Sequence, residues 1–308
     1  MPAVYLEFMA TIGGVIAAAV TPRRHGPEVD LGAVFELVDF LAASGVSGIG
    51  LLGSTGEYIH FSLEDRIRMV KLGVKRSRVP VVAGVSHSTF DGAVALAREA
   101  ADAGAAALLV APPHFFRYSQ EEIRDFYFAF AGEAGRIPIL LYNIPQFASR
   151  IEPDTAAELL ATGVFAGIKD SSGSWADFVS LAQARETSNF SLLAGHDVMF
   201  TPARMAGADG IVSGVASAVP ELLVALDRAI ACGKRDLVWR LDARLQEFLR
   251  RMCAFAPPVA IREAAAARGI KVGPHAIAPG AAETARLAAF REWFTGWLPG
   301  VLKEAENA

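Results

Sequence analysis

The chain has 308 residues, 53% of them hydrophobic and 20% charged, with 29 Lys+Arg against 33 Asp+Glu for a formal net charge of −4. That balance excludes a disordered or fibrous chain and leaves no basic excess to neutralise a nucleic-acid backbone. A chain this long buries a full core without a metal or a disulfide, and α/β barrels run to about 250 residues as one unit.

Residues 1–11 carry Glu7 and no basic stretch, so they do not read as a signal peptide. Every apolar stretch is broken by Gly, Pro or charge before the roughly 18 residues a membrane helix needs. The two cysteines, Cys232 and Cys253, lie outside any CxxC or Cys/His cluster. No structural zinc is expected, and a reduced pair in a cytoplasmic protein is.

From residue 15 onward, short apolar runs alternate with amphipathic segments. The runs cover 15–20, 48–52, 79–85, 106–111, 137–143, 164–169, 191–194 and 210–213. Helical patterns lie between them at 31–44, 63–76, 89–103, 119–132, 153–161, 174–187 and 197–206. Leu31, Val34, Phe35, Val38 and Leu41 show the three- and four-residue spacing of such a face. Ser62 and Ser119 precede helices as cap residues, with Asp65 and Glu122 three positions on. Ala103-Gly104 and Ala206-Gly207 supply helix-ending glycines.

Near-continuous apolar strands joined by helices imply a parallel sheet covered on its outer face. Eight units, with strand ends 19 to 33 residues apart, predict a closed (β/α)8 barrel over 1–215. No GxGxxG follows the first run, which argues against a dinucleotide fold. Residues 216–308 hold three or four further helices without strands. They are expected to form a C-terminal helical region packed on the barrel.

Chemistry in such barrels sits at the C-terminal strand ends. Lys169 ends the sixth run in Gly167-Ile168-Lys169-Asp170. An amine at an apolar barrel mouth loses hydration, and a neutral amine attacks a ketone to give a Schiff base; the plainer reading is a surface lysine or one paired with Asp170. Tyr142 ends the fifth run in Tyr142-Asn143-Ile144-Pro145, where a phenol can shuttle protons or simply pack in the core. Gly53-Ser54-Thr55-Gly56-Glu57 follows the second run and either lets backbone N–H groups hold a carboxylate or forms an ordinary glycine turn. His87 and His196 follow the third and seventh runs and are read as polar loop residues. A phosphate loop is only faintly suggested by Gly210-Ile211-Val212-Ser213-Gly214.

Together the Gly53–Glu57, Tyr142–Pro145 and Gly167–Asp170 motifs resemble the pyruvate-dependent class I aldolase family that includes dihydrodipicolinate synthase and N-acetylneuraminate lyase. The resemblance covers nearly the whole chain. It implies that Lys169 forms the imine with a 2-oxo acid and that Tyr142 relays protons. It also implies that Ser54 and Thr55 bind the substrate carboxylate, that the Thr55 hydroxyl links to Tyr142, and that Gly195 and Val212 line the pyruvate pocket. The iminium stabilises a carbanion at C3, so no metal or cofactor is expected. Family members are commonly tetramers built from tight dimers, so a homotetramer or homodimer is expected, with a small 2-oxo acid as the partner and neither nucleic acid nor membrane.

Two positions depart from the synthase pattern. Phe147 stands where an arginine binds the second carboxylate of the adduct, with Arg150 three residues further on. Phe115, in Pro113-His114-Phe115-Phe116-Arg117, stands where a tyrosine from the neighbouring subunit completes the relay, and phenylalanine has no hydroxyl. Asp170-Ser171-Ser172-Gly173 lacks the residues usual in the sialic acid lyases. The reading is therefore a lyase or aldolase for another 2-oxo acid, such as 4-hydroxy-2-oxoglutarate, a 2-oxo-3-deoxy sugar acid or an aryl-substituted pyruvate. A catalytically weak 2-oxo-acid-binding homologue is the alternative.

Overall fold

The computed structural model describes residues 12–307; the reading of residues 1–11 lies outside them. Eight strands close a parallel barrel in sequence order: β1 (Gly14–Ala18), β2 (Gly48–Leu51), β3 (Val81–Gly84), β4 (Ala107–Val110), β5 (Ile139–Asn143), β6 (Gly167–Asp170), β7 (Ser191–Ala194) and β8 (Gly210–Ser213), with β8 pairing back to β1. Around it run α1 (Leu31–Ala43), α2 (Leu63–Arg76), α3 (Phe90–Asp102), α4 (Gln120–Glu133), α5 (Pro153–Ala161), α6 (Trp175–Ala184), α7 (Phe200–Met205) and α8 (Pro220–Ala231). The helices α9 (Arg235–Met252), α10 (Val259–Ala267) and α11 (Ala281–Glu306) follow. The segment expected to be helical over 197–206 instead begins with a single 3-10 turn at Asp197–Met199. Pro202 then sits in the first turn of α7, where a missing N–H costs no hydrogen bond.

Local chemistry sets the helix starts. Asp30, Ser62, Thr89, Ser119 and Ser174 each accept a backbone N–H of the first turn, and Ser119 with Glu122 completes a capping box. Such caps contribute about 1 kcal/mol each. Gly104 and Gly207 take the left-handed backbone that closes α3 and α7, with φ of 85° and 98°.

The strands divide the core in two, because successive side chains point to opposite faces. Ala17, Leu108, Leu141, Ile168, Leu192 and Ile211 pack outward against the helices. Ile16, Leu109, Leu140, Tyr142, Leu193 and Val212 fill the barrel interior. Beyond the barrel, Phe248 of α9 packs against Phe290, Trp293, Phe294 and Trp297 of α11, an aromatic seam that holds the last helix. Cys232 and Cys253 are unbonded and exposed. Among the described residues no helix is long and apolar enough to cross a membrane, and no cluster of His, Cys, Asp and Glu could hold a metal.

Candidate active site

Strand alternation decides which way Lys169 points. Ile168 faces the helix layer, so its neighbour faces inward, and register places Lys169 beside Tyr142 of β5 and Leu193 of β7. The lysine is 4% exposed, and its Nζ lies 4.1 Å from the centre of the Tyr142 ring. No described carboxylate lies within ion-pairing distance of it.

Asp170 points the other way. Its carboxylate accepts from Asn143 Nδ2 at 2.7 Å and from the Ser172 hydroxyl at 2.7 Å. Asn143 in turn accepts the N–H of Ile151 at 3.1 Å, which anchors the loop after β5. Burial holds the Asp170 carboxyl above the ordinary carboxylate range, against the hydrogen bonds from Ser172 and Asn143. This pair is a strut across the ends of β5 and β6, and it leaves the Lys169 amine unclaimed.

Ser54 reaches the site from the turn after β2. Its Oγ lies 2.9 Å from the Tyr142 hydroxyl, and either oxygen can donate. The hydroxyl linked to Tyr142 is therefore that of Ser54, not Thr55 as the resemblance suggested. Leu52 and Glu57 both carry left-handed backbone, with φ of 59° and 50°, and this turns Ser54 toward β5. Thr55 instead leans toward β8, where a Cβ added to Gly214 would meet its Oγ1 at 3.2 Å.

Gly195 and Val212 both face the barrel interior. A Cβ on Gly195 would come within 2.8 Å of Lys169 Cε, so only glycine leaves the lysine its path. Val212 lies in the interior cluster with Tyr142 and Leu193. His196 is exposed beside Gly173, and His87 Nδ1 accepts the Thr89 N–H at 3.0 Å as part of a local turn.

Three features escaped the sequence reading. Asp197 accepts a short hydrogen bond from the Ser213 hydroxyl, and its carboxyl is held above the usual range by burial, opposed by Ser213, His196 and Lys169. It lies three positions past the end of β7, one beyond His196, so the strand-end rule that flagged His196 would also have reached it. Tyr58 and the buried Arg66 form the second. The guanidinium sits 4.7 Å over the phenol ring and donates to the Ser86 carbonyl at 2.6 Å. Burial pushes the phenol up to about 12 and the guanidinium down to about 10. The third is Arg262 of α10, which reaches the turn that carries Ser54. A solvent-open cavity of about 560 Å³ lined by Arg23, Arg24, His25 and Lys271, and by the Gly273 and Pro274 that Arg262 binds, does not include Lys169, Tyr142 or Ser54 in its lining.

The Phe115 and Phe116 rings pack edge to face at 5.0 Å, yet Phe115 is 89% exposed and Phe147 is 60% exposed. Among the described residues only Phe116 is seen to pack against the Phe115 ring. Arg150 donates to Asp177 at 2.7 Å and pairs with Glu152 at 3.1 Å, so its charge is answered on α5 and α6.

A model of the dihydrodipicolinate synthetase family matches residues 11–287. A 4-hydroxy-tetrahydrodipicolinate synthase of Methanothrix thermoacetophila is 32% identical over 262 residues, which is 85% of this chain and 88% of that protein. Among solved structures, the 4-hydroxy-tetrahydrodipicolinate synthase of Methylacidiphilum fumariolicum SolV superposes with a TM-score of 0.86 at 27% identity, covering 95% of this chain and 99% of that one. The 2-keto 3-deoxygluconate aldolase of Picrophilus torridus superposes with a TM-score of 0.79 at 25% identity, covering 85% and 95%.

Proposed function

The chain belongs to the dihydrodipicolinate synthetase family, and from that premise we propose that it is a Schiff-base lyase or aldolase acting on a 2-oxo acid other than the synthase adduct. The observation that carries the reading is the Lys169 amine set over the Tyr142 ring, with the Tyr142 hydroxyl bonded to Ser54. The amine attacks C2 of the 2-oxo acid to give a carbinolamine, and Tyr142 supplies the proton with which the hydroxyl leaves as water. In the cleavage direction the C3–C4 bond breaks and its electrons pass into the iminium, giving an enamine. The C4 hydroxyl loses its proton as the aldehyde forms. Protonation at C3 and hydrolysis then release pyruvate and restore the amine. The Ser54–Thr55 turn holds the carboxylate so that C2 faces Lys169, which removes the entropy cost of orienting the two.

Substrate choice rests on the distal side. Phe147 carries no charge, and Arg150 is engaged by Asp177 and Glu152, so neither offers a second carboxylate the bidentate partner it would take. Phe115 supplies no hydroxyl. These positions support a less anionic substrate, of the 2-oxo-3-deoxy sugar acid type in preference to 4-hydroxy-2-oxoglutarate, whose distal carboxylate would lack that partner, although the Methanothrix relative bears the synthase name. The exposed Phe115–Phe116 pair supports a dimer or tetramer that covers it, and the unbonded cysteines suit a cytoplasmic setting.

A screen of 2-oxo acids for pyruvate release tests the assignment. Turnover of one or more of them, absent in Lys169→Ala, is the expected result. Condensation of pyruvate with aspartate semialdehyde at an ordinary enzymatic rate would contradict the substrate reading, and an imine without turnover on any 2-oxo acid would favour a binding role. A monomer by sedimentation would remove the intersubunit cover for Phe115.

A further inference from the structure

The turn that carries Ser54 and Thr55 is bracketed by Leu52 and Glu57, two non-glycine residues with left-handed backbone. Such residues persist only where their surroundings over-determine them. For Glu57 the determinant comes from more than two hundred positions away. Arg262 of α10 is 0% exposed, and its Nη1 lies 3.1 Å from Glu57 Oε2. The same nitrogen donates to the Thr21 carbonyl at 2.9 Å. Nη2 donates to the carbonyls of Val272 at 2.7 Å, Pro274 at 3.0 Å and Gly273 at 3.3 Å. The guanidinium is thus fixed by the end of β1 and the loop after α10, and Glu57 is held against a rigid cation.

The preceding residue, Ile261, faces the same glycine as the turn. Ile261 Cδ1 and Thr55 Oγ1 both crowd the point where Gly214 would carry a Cβ, at 2.8 and 3.2 Å. Nearby, Arg23 is buried with Nε and Nη2 unbonded. Of the seven buried side-chain polar atoms without a hydrogen-bond partner among the described residues, five belong to Thr21, Arg23, Glu57 and Arg262. A packed core does not leave polar atoms short of partners at one seam without compensation elsewhere. Here the compensation is the geometry imposed on the turn: the Glu57 N–H donates to the Ser54 carbonyl at 3.0 Å, so a fixed Glu57 fixes Ser54.

We propose that Arg262 is a positioning residue for the substrate carboxylate, holding Glu57 so that the turn presents Ser54 and Thr55 in one geometry. The C-terminal helical region then forms part of the active site instead of merely covering the barrel. This rests on the reading of Lys169 as the imine-forming amine.

Borohydride trapping at graded concentrations of pyruvate and of methyl pyruvate separates the two ideas, because the ester lacks the carboxylate the turn would hold. The comparison uses the full chain and its Glu57→Gln, Arg262→Gln and Arg262→Lys variants, each checked for folding by circular dichroism. Losing a charge-assisted restraint of this kind is expected to raise the half-saturating pyruvate concentration about tenfold in Glu57→Gln and Arg262→Gln, with a maximal trapping rate within about twofold. Methyl pyruvate should be trapped as in the parent, and Arg262→Lys should recover part of the pyruvate preference. If Arg262→Gln does not fold, Glu57→Gln carries the comparison. Pyruvate and its ester weakening together, or neither changing, would overturn the positioning role. Failure of the parent chain to trap either compound would instead overturn the imine reading on which it rests.

Discussion

Lys169, inside the barrel, and Arg262, in the seam between the barrel and α10, are both sealed from water, and their surroundings could hardly differ more. Arg262 is richly answered: four backbone carbonyls and a carboxylate meet its two Nη groups, and only Nε is left without an acceptor. Among the described residues Lys169 has an aromatic ring at 4.1 Å and no carboxylate within ion-pairing distance: Asp197 feels its charge only through space, and its chain neighbour Asp170 is turned away and spent on Asn143 and Ser172. A basic group buried for structure is given a counter-charge and several acceptors, because an unanswered charge costs several kcal/mol. A basic group kept for chemistry is denied them, because an ion pair would tie up the electron pair the reaction needs. On the proposed reading of Lys169, the contrast between many partners and few separates the two roles more clearly than burial does.

That contrast can be broken at either end. The largest effect is expected at Lys169: replacement by Met should abolish pyruvate release on any substrate found, a loss of at least about 10³-fold, while the melting temperature stays within a few degrees of the parent. Tyr142→Phe keeps the ring and removes the proton, and should lower kcat about 10²- to 10⁴-fold. Arg262→Leu should do the reverse of Lys169→Met by destabilising the fold about 3–5 kcal/mol in urea denaturation, since Glu57 is left buried without its partner. Equal stability losses for the lysine and arginine variants would erase the distinction.

The smallest effect lies farther along the same seam. Glu263 follows Arg262 in α10 and is bonded to His275 and Arg291, each at 2.7 Å. These bonds, chiefly that to His275, hold its carboxyl below the ordinary value of 4.5 against the opposing effect of burial. A carboxyl depressed on folding stabilises the protein above its unfolded value and loses that contribution as pH falls through the folded one. Denaturation at pH 7 and at about pH 4 should therefore show the parent losing more stability than Glu263→Gln. An equal loss in both would remove Glu263 from the account.

Much of this was legible in the chain. Eight short apolar runs separated by helical spacing are what a parallel barrel must look like, since its strands are covered on both faces. Register follows from the fold, so Lys169 and Tyr142, each at a strand end, had to meet. The identity of the hydroxyl beside Tyr142 was not legible, because it depends on left-handed backbone at Leu52 and Glu57, and neither residue type announces that conformation. Arg262 was also hidden. An arginine beside a glutamate in an alanine-rich helix reads as a solvated face, and only the return of α10 to the end of β1 buries it. The Phe115–Phe116 pair was visible as an aromatic cluster, but its exposure was not, because local spacing does not say whether rings pack within the chain.

The most direct measurement is borohydride reduction of the full chain with pyruvate followed by peptide mapping. The account predicts a reduced pyruvyl adduct on the peptide containing Lys169, absent in Lys169→Met. An adduct on another lysine, or none at saturating pyruvate, would contradict it.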